Sequence, residues 1–537
     1  MTIIYALLPL VWLVLSLTVL KMSAWKACSM AAFMTFIIAI LPLGKSVPIM
    51  LSGALEGVAL AIWPILLVIT AAIFTYNLVV HTKAMETIKL LLSSVSSDKR
   101  ILALLLAWGF GAFMEGMAGF GTSVAIPAAM MVALGFNPLK SILVCLIANS
   151  VQTTFGSVAI PVTTLASLTS LDAGTLGTFI SIQLLLPNLA APFFVVAIIG
   201  DGIKAIKGVF TITLLAGLSL AIPELLINAL IGPELSVMIP SLLIMAVIIW
   251  GAKRFPPRNP VYEVSIQHQT ISTKDAVLAA LPFILIMVLL ILTSQVVPPI
   301  YGPLSSIKTT VPIYMGDGAK PYTFTWLATP GTMIFIAAIL GGFIQKAKAS
   351  EMLVILKHTM NDLKFTYITI IAVVVTAKLM TYAGLTDDIA NALIAITGSY
   401  YPLATPLVGA LGSFATGSST NANVLFGPLQ LSVAQTLAPD LKELPLWLSA
   451  INSGASGIGK MFSPQSIAIA IGAVAPALDE YIKNNKLNNE SAYALRRGIQ
   501  ADVIMIAIIK YFLIFIAAFS IISYFGIAWI DTILALK

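Results

Sequence analysis

Charge is the scarcest property of this 537-residue chain. Only 9% of its residues are Asp, Glu, Lys or Arg, against 59% hydrophobic, and the mean hydropathy is +1.02. A soluble globular domain carries roughly 25% charged residues, so a water-facing surface over most of the chain is excluded and lipid must be its solvent. Cysteine is nearly absent: Cys28 and Cys145 lie in or beside apolar runs, which excludes a disulfide framework. The three histidines, His81, His268 and His358, are scattered in or beside polar segments without paired metal-ligand spacing. No Walker loop occurs, and the glycines of "GAFMEGMAGFG" follow no strand, which excludes a dinucleotide fingerprint. No cofactor, metal or ATP hydrolysis is therefore expected, and no convergent acid–base set marks a membrane-embedded enzyme. The net charge of +7 sits in short segments between apolar runs, where it sets orientation rather than binding nucleic acid.

What is present is a series of apolar runs. A helix needs about 20 residues to cross a bilayer, and on that rule the chain predicts an all-α polytopic membrane protein of about 12–14 segments, forming one transporter domain over residues 1–537. The first run, 3–20, has no Lys or Arg before it and is followed by Lys21 and Lys26. It reads as a retained span with its N-terminus outside. Runs 119–135 and 403–430 carry Gly, Ser, Thr and Asn clusters, and 140–165 and 443–475 are polar in the middle, so all four read as broken or re-entrant. Basic residues collect at 81–100, at Lys204 and Lys207, at 253–258 (Lys253, Arg254, Arg258), at 346–364 and at 483–497. The positive-inside rule places these in the cytoplasm. The Pro-, Gly- and Tyr-rich stretch 297–326 reads as external with short ordered pieces. Residues 82–95 and 478–500 read as amphipathic surface helices, and Lys510 as an interfacial anchor.

Three pairs of segments match in the same order. They are "VITAAIFTY" (68–76) with "VVTAKLMTY" (374–382), "GAFMEG" (111–116) with "GSFATG" (412–417), and "NSVQTTFGSVAIP" (149–161) with "NSGASGIGKMFSP" (452–464). Run 57–80 precedes a basic segment and run 365–385 follows one, so the two copies point oppositely. The reading is two inverted repeats, approximately 57–165 and 365–470. Such repeats with interrupted helices mark secondary transporters, which bind substrate at the repeat interface near the midplane.

A break inside lipid frees backbone groups that need partners, and the amides of a half-helix N-terminus favour an anion. Gly116, Gly119 and Gly121 let a ligand approach the backbone closely. Thr122, Ser123, Asn149, Ser150, Thr153 and Thr154 add directed hydrogen bonds from the first copy. The second copy offers Thr416, Gly417, Ser418, Ser419, Thr420, Asn421, Asn423, Asn452, Ser453, Ser456, Ser463 and Gln465. Two such breaks suit a small carboxylate bearing a hydroxyl. Intramembrane ionisable groups are functional by default. Glu115 is either a proton carrier or an acceptor for freed amides. Lys378 stands where the other copy has Ala72; it neutralises a substrate carboxylate, pairs with Glu115, or snorkels. Lys460 binds a carboxylate or caps helix-end carbonyls. Glu56 and Glu224, near predicted span ends, are expected at the surface.

Four blocks also resemble the L-lactate permease family: "MEGMAGFGTSVAIP" from Met114, "LIANSVQTTFGSVAIP" (146–161), "FATGSSTNANVLFGPLQ" (414–430) and "GIGKMFSPQSIAIA" (457–470). The resemblance runs through most of the chain. It implies a plasma-membrane permease importing L-lactate, and often glycolate, by proton symport, for which Glu115 is the candidate carrier that its intramembrane position suggests. A sodium-coupled carrier of another organic anion would use the same architecture. The chain departs from the family blocks at Ser419, where the family has Asp, and at Ser123 and Gln152, where it has Pro.

Overall fold

The computed structural model describes residues 2–530 except 120, 257–259, 265–271, 318, 485 and 487; Arg258 and His268 lie outside the described residues. Helices make up nearly all of it, because a backbone without water must satisfy its own polar groups. The elements that position the site are α1 (Ala24–Ile40), α2 (Val47–Leu60), α3 (Leu67–His81), α4 (Lys99–Met117), α5 (Thr122–Ala133), α6 (Pro138–Gln152), α7 (Gly156–Thr169), α8 (Ala173–Ile199) and α9 (Phe210–Leu230). They continue with β1 (Lys308–Val311), β2 (Tyr322–Thr325), α10 (Lys364–Ala383), α11 (Tyr401–Thr416), α12 (Ser419–Leu437), α13 (Leu444–Met461) and α14 (Pro464–Asn484).

Among the described residues nine helices are long and apolar enough to span, or ten if α13 and α14, bent by 45°, count together. Four shorter apolar helices, including α1 and α5, add to these. The expected 12–14 crossings are thus split between full rods and pieces, because a length rule assumes that each crossing is one uninterrupted helix. The chain is a multi-pass membrane protein.

Besides the kink at Trp63 between α2 and α3, four breaks interrupt the helices around the site. α4 and α5 are joined through 118–121, where Gly121 takes a left-handed φ of +87° that a side chain would resist. α6 gives way to α7 through a 3-10 turn and a left-handed stretch at Ser157, Val158 and Ala159. α11 ends at Gly417, whose φ is +67°, and α12 starts two residues later. Phe462 and Ser463 separate α13 from α14. Across the halves, α5 packs on α14, α7 on α12 and α6 on α13. Glycines permit the closest of these contacts: a Cβ on Gly457 would lie 2.2 Å from the Ser150 carbonyl oxygen.

The broken helices form the core. The apolar windows of α4 and of Pro138–Thr169 are 100% buried, whereas those of Thr273–Leu292 and Ala501–Trp529 are 28% buried. Unbroken rods therefore face lipid, and interrupted backbone is kept where protein and a cavity surround it.

The stretch 297–326 holds a short helix, Pro298–Ser306, and the antiparallel hairpin β1–β2. Residues 82–95 contain the helix Ala84–Ser93, and 478–500 contain the end of α14 and the helix Asn489–Gly498. Lys510 is exposed beside the Tyr511 ring. Two expectations fail. Glu56 and Glu224 are both buried, because their partners come from other helices rather than from nearby sequence. Glu56 meets Lys378 of α10, and Glu224 of α9 accepts a hydrogen bond from Asn188 of α8 at 3.1 Å.

Candidate functional site

Glu115, near the end of α4, is 2% exposed. Its Oε2 accepts from Ser123 Oγ at 2.5 Å and from Asn149 Nδ2 at 2.8 Å. Its Oε1 accepts from Lys460 Nζ of α13 at 3.2 Å. The Asn149 amide also reaches Ser123 Oγ at 2.9 Å, and Lys460 donates to Thr153 Oγ1 at 3.2 Å. The carboxylate is thus held by side chains from two other segments of the first half and an ammonium from the second. A buried pair of this kind repays its desolvation only when further hydrogen bonds complete it, and here three neutral side chains do so.

Local backbone explains the approach. Gly156 lies against the carboxylate, and a Cβ there would come within 2.5 Å of Glu115 Oε1. Ser157 Oγ donates to the Ala118 carbonyl at 2.9 Å, tying the α6–α7 break to the α4–α5 break.

The pair borders a cavity of about 480 Å³. Its wall includes Gly121 before α5, Gly156, Ser157 and Ile160 at the start of α7, Ser418 to Asn421 at the start of α12, and Gln465 and Ser466 at the start of α14. All four half-helices after the breaks therefore begin at this cavity. Each N-terminus carries roughly half a positive charge. With the Lys460 ammonium they favour a small anion. Asn421 also lines the wall, and among the described residues its buried Oδ1 has no hydrogen-bond partner. Trp25 and Phe365, stacked at 5.4 Å, form the wall nearest the basic segments.

Of the residues singled out from sequence, Glu115, Gly121, Thr153, Thr416, Gly417, Ser418, Ser419, Thr420, Asn421, Lys460 and Gln465 line the cavity. Ser123 and Asn149 stand behind it as partners of Glu115. Gly119 packs on Ser157, Gly116 on Met238, and Thr122 bonds the Gly119 carbonyl. Ser150 bonds the Ile147 carbonyl. Asn452 and Ser453 belong to a neutral cluster with Asn423. Lys378 faces a different cavity and pairs with Glu56 at 2.6 Å. Its partner is neither Glu115 nor the interface, because α10 carries it beyond the broken helices. Ser123, one departure from the family blocks, is a partner of Glu115; Ser419 meets Ser456; Gln152 donates to the Trp108 carbonyl.

Trp25, Phe365 and Thr369 were not foreseen. Lys26 lies over the Trp25 ring and Lys364 over Phe365; an aromatic beside a lysine at a span end was the available signal.

The family described as L-lactate permease matches residues 2–519. An L-lactate permease of Streptococcus iniae is 43% identical over 448 residues, 83% of this chain and 93% of that protein. A glycolate permease of Escherichia coli is 30% identical over 504 residues, covering 87% and 89%. Among solved structures, the YdaH transporter of Alcanivorax borkumensis aligns with a TM-score of 0.35 and 15% identity, covering 80% of this chain and 89% of that one. With a family match over nearly its full length and a 43% identical relative covered to 93%, this chain belongs to the L-lactate permease family.

Proposed function

We propose that the protein imports L-lactate and related short 2-hydroxymonocarboxylates such as glycolate across the plasma membrane, with one proton per substrate. One observation carries this reading: four helix N-termini converge on a cavity that also holds the Glu115–Lys460 pair. The substrate carboxylate takes the Lys460 ammonium and the helix termini, and its 2-hydroxyl donates to Asn421 Oδ1, an acceptor with no other partner among the described residues.

Charge arithmetic supplies the coupling. Empty, the site holds one carboxylate and one ammonium and is neutral. Loaded with a protonated Glu115 and a substrate carboxylate, it is neutral again. Substrate alone or proton alone leaves a net buried charge, which is costly in a low-dielectric interior. Only the empty and the fully loaded forms reorient readily. Protonation of Glu115 also releases Lys460 to the substrate, so the two bind together.

The reciprocal packing of α5 on α14 and α7 on α12 supports two repeats related by a two-fold axis, approximately 57–165 and 365–470. The positive-inside rule orients the molecule with its basic segments, and hence the Trp25 wall, toward the cytoplasm and its N-terminus outside.

The test is Glu115→Gln in proteoliposomes. A fixed neutral side chain mimics the protonated form, so exchange of labelled for unlabelled L-lactate is expected to persist while uptake driven by an imposed pH gradient is lost. Full proton-driven uptake by this variant would refute the coupling role. Uptake by the wild-type protein that needs sodium and ignores a proton uncoupler would replace the proton with sodium.

A further inference from the structure

A second cavity, of about 530 Å³, is lined by Glu56, Trp63, Lys320, Tyr322, Lys378 and Tyr382 among others. It shares its walls with the first. α10 supplies Thr369 and Ile370 to the central cavity and Lys378 and Tyr382 to this one; α7 supplies Ile160 and Pro161 to the former, Ser167 and Leu168 to the latter. α12 likewise contributes Ser419 to one and Pro428 to the other. Between the two sets along the chain lie Val373, Val374 and Leu165, each 0% exposed, and Val424 at 1%, together with the buried Thr164, Thr376 and Asn423. Each of the three helices therefore reaches the central cavity at one end and this cavity at the other.

The donors at the second end are those a carboxylate needs. Lys378 Nζ and Tyr382 Oη both donate to Glu56 Oε1, at 2.6 Å and 2.8 Å. Lys378 is only 15% exposed. The loop before β2 closes over the pair: Tyr314 stacks on Tyr382 at 3.6 Å, and the Met315 amide donates to Ser52 Oγ at 3.1 Å. Tyr322 of β2 donates to the Trp63 carbonyl, and Trp63 Nε1 donates to the Thr325 carbonyl at 3.1 Å. One carboxylate is thus already seated on an ammonium and a phenol, inside a cavity roomy enough for a small acid, under an external hairpin.

We propose that this cavity is a second monocarboxylate-binding site, the outer receiving site of a path that continues along the shared helices to the central cavity, in which Glu56 is an internal competitor for Lys378 and Tyr382. An arriving carboxylate displaces Glu56 from both donors. That exchange frees α2 from α10 and loosens the hairpin that rests on Tyr382. The proposal rests on the transport reading above.

The experiment compares L-lactate influx and efflux in membrane vesicles of known orientation. Glu56→Gln removes the competitor and is expected to lower the external KM about three- to tenfold, while the internal KM stays within about twofold. Lys378→Met removes the cation and is expected to raise the external KM at least about tenfold, as for a lost hydrogen bond to a charged group. The opposite signs matter, since a merely structural ion pair would make both variants lose folded protein alike. Where Lys378→Met fails to accumulate, the doubly neutral E56Q/K378M avoids an unpaired buried charge and is expected to show the same rise in external KM. An external KM unmoved in both Glu56→Gln and the neutral double variant, with normal wild-type uptake, overturns the site alone. A wild-type protein without saturable lactate uptake overturns the transport reading and this site with it.

Discussion

Asn149 and Asn452 occupy matching places in the two "NS" segments, yet their surroundings differ in kind. Asn149 donates to a carboxylate that is paired with a lysine. Asn452 donates to the Asn423 carbonyl oxygen at 3.0 Å, and its own oxygen accepts from Gln430, which is in turn bonded by Tyr401. One region is ionic and borders the cavity. The other is neutral and fully buried, and Asn423 Nδ2 donates onward to the Pro161 carbonyl at 3.0 Å. Similar local sequence thus places an amide at a broken helix in both halves, while the residue that the amide faces decides whether the place can change charge.

That contrast can be broken most severely at Lys460. Lys460→Met leaves Glu115 buried without its counter-charge, a loss of about 3–5 kcal/mol when one partner of a buried pair is removed. Both proton-driven uptake and lactate exchange are expected to fall more than about a hundredfold, a drop of roughly 2.7 kcal/mol. Measuring both fluxes separates this from Glu115→Gln, which keeps exchange.

The two asparagines give the direct comparison. Asn149→Ala deletes a hydrogen bond to a charged acceptor, worth about 1.5–3 kcal/mol, and is expected to cut proton-driven uptake about 10–100-fold. Asn452→Ala is expected instead to lower thermal stability by about 1–3 kcal/mol and to leave the KM for lactate within about threefold. Equal effects on both fluxes and melting temperatures would erase the distinction between the regions.

Gly156 and Gly459 also correspond. A Cβ on Gly156 would sit 2.5 Å from Glu115 Oε1, and one on Gly459 would sit 2.2 Å from the Ala410 carbonyl oxygen. Gly156→Ala pushes the side chain of Glu115, the proposed proton carrier, so its expected loss is in uptake. Gly459→Ala pushes backbone, so its expected loss is in stability, about 1–3 kcal/mol as for overpacking. Uptake rates per folded molecule and melting curves for both variants check this.

The smallest effect is expected at Asn421. Asn421→Ala removes the acceptor offered to the 2-hydroxyl, and discrimination between lactate and propionate is expected to narrow about tenfold, one neutral hydrogen bond's worth. Competition of labelled lactate by propionate measures it.

Composition and run length alone determined that this chain lives in lipid and is helical, because a bilayer leaves the backbone few other solutions. The glycine, serine and asparagine clusters marked where helices break, since those residues tolerate left-handed turns and offer local bonds. Glu115 was legible as an isolated carboxylate at depth. Its partner was not: Lys460 lies 345 residues away, and no spacing rule connects them. For the same reason Glu56 and Glu224 looked like surface residues, and Lys378 looked like a candidate for the central cavity. Periodicity and composition act over one or two turns of chain, whereas ion pairing is decided by which helices pack together. Only the tertiary structure fixed that four helix N-termini meet at one cavity, that Lys460 rather than Lys378 faces Glu115, and that a second cavity holds the other pair.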